Sequence, residues 1–121
     1  MPAARSAYAE GDMVYDENLA RRVRGMLASR APVTEKRMFG GLAFMVNGHM
    51  AVGVNAGDLM VRVGPNGHEE ALGRPHARPM DFTGRPMKGF VFVGPPGYAD
   101  DESLAGWVER GVRFVTSLPP K

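Results

Sequence analysis

The chain has 121 residues, a formal net charge of +2 at pH 7, 44% hydrophobic residues and 23% charged ones. That is the length of one domain with its own core, and the charge is too small to argue for nucleic acid by itself. The lack of cysteine excludes disulfides, thiolate zinc sites and cysteine nucleophiles, and with no apolar run near the roughly 18 residues of a membrane span and no signal-peptide core the expectation is a soluble cytoplasmic protein.

Residues 1–12 show no periodicity and are expected to form a flexible extension, leaving a single domain over 13–121. Asp16 is placed to cap a first helix, in which Leu19, Val23, Met26 and Leu27 form one apolar stripe. The helix should end near Ser29, because Pro32 forbids its continuation. Val33–Phe39 then reads as an edge strand with a charged middle, Glu35-Lys36-Arg37.

Strands are expected at Leu42–Val46, His49–Asn55 and Asp58–Val63, joined by tight breaks at Asn47-Gly48 and Asn55-Ala56-Gly57. Asn-Gly between apolar runs is the strongest short-range hairpin signal, since both residues tolerate the positive φ of a type I′ turn. Alternation puts Phe44, Val46, Val52, Val54, Leu59, Val61 and Val63 on a helix-covered face. Ala43, Met45, Ala51, Gly53, Met60 and Arg62 fall on the other, which is not plainly polar and so calls for a cover.

Pro65–Leu72 reads as a short helix, and Gly73–Met87 as a loop in which Arg-Pro-Met occurs twice, by coincidence or as a pair of similar turns. Lys88–Val93 is the last strand. The final helix starts around Asp100-Asp101-Glu102, presents Leu104, Trp107, Val108, Gly111, Val112, Val115 and Leu118 on one face, and stops at Pro119-Pro120. The fold class is therefore α+β: an antiparallel meander of about five strands packed by an N-terminal and a C-terminal helix, in the order α-β-β-β-β-(short α)-β-α.

The sequence resembles the N-terminal domain of the TfoX/Sxy family, which includes regulators of natural competence. The likeness lies in Met13-Val-Tyr-Asp-Glu, in Thr34 to Met50, in Asp58-Leu-Met-Val-Arg-Val, and in Arg78 to Val91. It covers the chain from about Met13 onward, with Met13 at the usual family start. The resemblance implies a small α+β domain, a regulatory role and no established enzymatic activity, with no catalytic residues to carry over. Competence regulators of the family carry a further C-terminal domain, whereas this sequence ends at Lys121.

The residues themselves offer little chemistry. His49, His68 and His76 do not pair at helical spacing with another ligand, so no metal is expected. His49 reads as a solvated turn residue and His68 as part of a solvated face with Glu69 and Glu70. Ser6, Ser29, Ser103 and Ser117 lie in a tail or near helix ends, and none stands in a nucleophile elbow. Gly40-Gly41 precedes a strand and so lacks the helix of a phosphate loop, and Gly64-Pro65-Asn66-Gly67 links a strand to the short helix but lacks the Walker lysine and spacing. No catalytic residue and no cofactor are expected.

The less ordinary features are the cations Lys36, Arg37, Arg62, Arg74, Arg78, Arg85 and Lys88, and nine methionines. Asp81 is placed to neutralise a neighbouring arginine. The candidate anion or partner surface is Arg37, Arg62, Arg85 and Lys88 with Met45 and Met60. The leading expectation is a non-enzymatic protein-interaction or regulatory module, self-associating through the shallow sheet face or an edge strand. The alternatives are a small-anion or nucleotide-binding domain or enzyme built on Arg37, Arg62 and Arg85, and weak nucleic-acid binding through these cations with Phe39, Phe82 and Phe90.

Overall fold

Asp16 caps the first helix from the expected position: its Oδ1 accepts the backbone N–H of Asn18 at 2.8 Å and of Leu19 at 3.1 Å. The computed structural model describes residues 15–29, 32–38, 40–81 and 86–121. The expected extension over 1–12, and Phe39, Phe82 and Arg85, lie outside the described residues. Helix α1 runs Glu17–Leu27, two residues short of Ser29, and buries Leu19, Ala20, Val23 and Leu27.

Six strands follow: β1 Val33–Met38, β2 Gly41–Val46, β3 His49–Asn55, β4 Asp58–Arg62, β5 Ala77–Asp81 and β6 Pro86–Val93. They form one sheet in the order β1-β2-β3-β4-β6-β5, and each neighbouring pair is antiparallel. Asn47 and Gly48 link β2 to β3 with φ of 55° and 84°, the backbone that the Asn-Gly pair demands. Helix α2, His68–Leu72, precedes β5; a 3₁₀ turn, Pro95–Tyr98, leads into α3, Asp101–Thr116, capped by Asp100.

The sixth strand corrects the expectation of a loop over Gly73–Met87. Proline normally argues against a strand because it lacks an N–H. Pro79, however, lies on an edge strand, where only one side of the backbone needs partners, beside an irregularity in the β5–β6 register. Arg78-Pro79-Met80 therefore lies in β5, and Pro86 and Met87 open β6, so the described parts of the two segments belong to paired strands and not to similar turns.

The register fixes the faces. One row crosses all six strands as Glu35–Phe44–Val52–Val61–Val91–Pro79, on the side covered by α1 and α3. The opposite row is Lys36–Ala43–Gly53–Met60–Phe92–Arg78. Small residues occupy the middle of this second row. Met60 lies across β3, its terminal methyl 2.6 Å from the place a Cβ would take at Gly53. Ala43, Met50, Met60, Met80 and Phe92 are all buried there as a separate small core, with Met38, Met45, Met87 and Phe90 packed around it. Ala51 departs from simple alternation. A register shift beside Phe44 and Met45 places it in the helix-side core.

Two histidines also differ from expectation. His49 is buried, its Nε2 2.8 Å from the Pro119 carbonyl oxygen, which pins the chain end to the β2–β3 turn. His68 is buried and its Nδ1 accepts the Gly89 N–H at 2.9 Å. Each meets a backbone partner distant in sequence, which is why neither is solvated.

Helix α3 comes close to β3 because Gly111 has no side chain; a Cβ there would run into the Ala51 carbonyl oxygen. Gly106, one and a half turns earlier, has nothing within 4 Å of the same position. Opposite outcomes follow for the same substitution. Gly111→Ala should destabilise by about 2 kcal/mol through overpacking, while Gly106→Ala should stabilise by about 0.5–1 kcal/mol through helix propensity. Urea unfolding of the two variants measures both signs.

Candidate functional site

Among the described residues, the cations singled out from the sequence do not converge. Arg37 pairs in register with Leu42 and so belongs to the helix-side face, whereas Arg62 pairs with Phe90 on the other side. Three strand spacings, about 14 Å, separate their strands. Arg62 is spent at the sheet end, its guanidinium 5.4 Å from the Phe90 ring centroid and 5.5 Å from that of Phe114. Arg78 stacks at 4.9 Å on Phe92 and bonds Asp58 at 2.6 Å, so Asp58 takes the neutralising role expected of Asp81. Lys88 is exposed and Met45 half-buried. Met60 has no exposed surface, because the methionines and Phe92 of its own face enclose it, and this removes it from any docking surface.

A concave feature lies along the outer flank of α3. A groove of about 1040 Å³ runs there. Its long wall is α3 from Glu102 to Ser117, and Trp107 and Phe114 supply the apolar floor with Val63. The facing wall is assembled from three short pieces: Glu70 of α2, the Arg74-Pro75-His76 turn, and Pro96-Gly97 of the 3₁₀ turn. These pieces meet because the sheet places the β5 entrance beside the β6 exit, with the Gly94 N–H donating to the His76 carbonyl at 3.0 Å. Gly97 makes the approach possible, since a Cβ there would press on His76 and Val93. His76 takes a φ of 68°, a left-handed backbone costly for a non-glycine residue.

Charge inside the groove is organised around Glu70. It accepts from Arg110 and, at 2.9 Å, from Arg74. Arg110 also donates to the Gly67 carbonyl at 3.2 Å and lies 5.7 Å from the Trp107 ring centroid. The hydrogen bond from Arg110, followed by that from Arg74, holds the Glu70 carboxyl below its ordinary value of 4.5. Among the described residues Glu102 and Arg113 are the lining charges without an ion pair.

Of the groove residues only Arg74 stood among the cations flagged from sequence. Trp107 was expected as a core anchor, and it does pack into the helix-side core. Arg110 and Arg113 carry no local signal, since they look like the solvent side of an amphipathic helix. Among the described residues no group of three His, Asp or Glu is placed to hold a metal ion, and no helix is long and apolar enough to cross a membrane.

The family model described as the TfoX N-terminal domain matches residues 25–115. Comparisons with curated proteins and with solved structures gave no match.

The Glu70 network gives a pH test. Because the folded carboxyl titrates below 4.5, its pairing is complete above that value and is lost as pH falls through the depressed one. In Arg110→Ala the Glu70 midpoint should move up toward 4.5, by carboxyl-detected NMR titration; an unmoved midpoint would show that Arg110 does not hold it.

Proposed function

This chain belongs to the TfoX N-terminal domain family, and from that membership we propose a non-enzymatic regulatory module that works by binding a protein partner along the α3 groove. The observation that carries the proposal is Gly106. Glycine inside a helix costs about 1 kcal/mol relative to alanine, and here no packing contact demands it. Its missing side chain leaves a notch in the groove wall beside Trp107, room of use to a ligand and of none to the fold. Gly25 of α1 has similarly open surroundings but lines no groove.

Other groups support the same assignment. His49, His68, Glu35, Asp58 and Glu70, side chains a reaction would draw on, are held in bonds that join one element of the fold to another. The groove combines aromatic floor, proline wall and charged rim, the composition of surfaces that bind protein segments. The second sheet face is a poorer candidate, because its central methionines are already enclosed.

A photo-crosslinking amino acid at position 113, on the exposed rim of the groove and away from the Gly106 notch, tests the proposal. In cells it should capture one discrete protein partner, while the same residue at the exposed Ala105 should not. Adducts from Ala105 and none from position 113 would place binding elsewhere and contradict the proposal.

A further inference from the structure

We infer that the second sheet face is an oxidation-gated surface: hydrogen peroxide converts Met38, Met45 and Met87 at its rim to sulfoxides, and the face they seal opens while the helix-covered face stays closed.

Sulfur in this chain is confined to methionine, since there is no cysteine to meet an oxidant first. Six of the nine methionines lie on this one side of the sheet, in two ranks. Met50, Met60 and Met80 are buried, whereas Met38, Met45 and Met87 are half-buried and reach solvent. The helix-side core is built of leucine, valine and aromatic side chains, and among the described residues Met26 is the methionine packed at its margin.

The floor of the face explains why its rim matters. Ala43 and Gly53 in the central row bring almost no side-chain bulk, so the cover consists of methionines leaning over them. No residue of a helix belongs to this small core. In register Met45 stands between Thr34 of the exposed edge strand and the buried Met50, which sets it at the boundary between water and the enclosed methionines.

In the reaction a thioether lone pair takes one peroxide oxygen. The S–O bond forms, the O–O bond breaks, and the proton of the transferred oxygen passes to the departing one, which leaves as water. Sulfur gives up two electrons and the peroxide accepts them. A sulfoxide is polar and turns toward water, and its withdrawal uncovers Ala43, Met50 and Phe92. Thiol-dependent sulfoxide reductases remove the oxygen again, so the opening is reversible.

Graded peroxide treatment of the purified chain, followed by peptide mass spectrometry, tests the order of events. The rim methionines should each take one oxygen about tenfold faster than Met50, Met60 and Met80, which react only on local opening. Binding of anilinonaphthalene sulfonate should rise about threefold as the rim is oxidised, in step with the apolar surface released. Trp107 emission, which reports on the helix side, should stay constant. Methionine sulfoxide reductase with a thiol should return the dye signal to its starting value.

The combined variant Met38→Leu, Met45→Leu and Met87→Leu, nearly constant in volume, should show no dye response, and Met26→Leu should respond as the parent chain does. Norleucine in place of every methionine is unbranched and free of sulfur, and gives the same flat response even where leucine packs poorly. Rim sulfoxides without a rise in dye binding overturn the inference, as do equal rates at rim and buried positions. A dye response that survives in the norleucine protein overturns it too. So does a parallel change in Trp107 emission with loss of circular dichroism, which makes the event a global unfolding.

Discussion

The contact on which the rest of the molecule depends is the approach of α3 to β3 at Gly111 and Ala51. An ordinary helix–sheet interface keeps the two backbones apart by a layer of side chains. Here a missing Cβ lets the helix settle onto the strand where the register shift beside Phe44 and Met45 brings Ala51 to the helix side. Settled in this way, α3 buries Leu104, Val108, Val112 and Val115 and keeps Trp107 at the margin, 8% exposed, where it belongs both to the core and to the groove floor. A side chain at 111 would lift the helix and move the groove wall with it. Gly106 stands in the same helix without any such duty, so the two glycines set a requirement of packing beside a position where packing makes none.

The sheet is apolar on both faces, and the two faces are closed by different means. Helices α1 and α3 cover one. The other is closed by methionines lying over Ala43 and Gly53, with Arg78 stacked on Phe92 and tied to Asp58 at the edge. Long, unbranched thioether side chains suit this use because they can lie flat where a branched residue would stand upright. Small residues and methionines in register therefore make a second core of modest depth.

Much of this architecture is legible in the residues. Asn47-Gly48 specifies its turn, Asp16 and Asp100 their caps, and the β-branched runs their strands, since each signal acts over a few neighbours. The strand β5 is hidden because Pro79 carries a penalty that applies only where an N–H must meet a partner. His49 and His68 look solvated because their hydrogen-bond partners lie 70 and 21 residues away in sequence. Arg37 and Arg62 look convergent because spacing along a chain does not tell which face of a sheet a strand presents after a bend. The groove is the least legible feature: its facing wall is assembled from three pieces only a few residues long, and the sheet brings them beside α3.

The central claim is that partner binding takes place on the α3 flank, with the methionine face sealed. Methyl NMR of the chain labelled at methionine, recorded with and without the captured partner together with the Trp107 indole signal, tests this most directly. The account predicts that the Trp107 indole resonance moves on binding while the Met50, Met60 and Met80 methyls stay in place. Shifts confined to those methionines, with Trp107 unmoved, would contradict it.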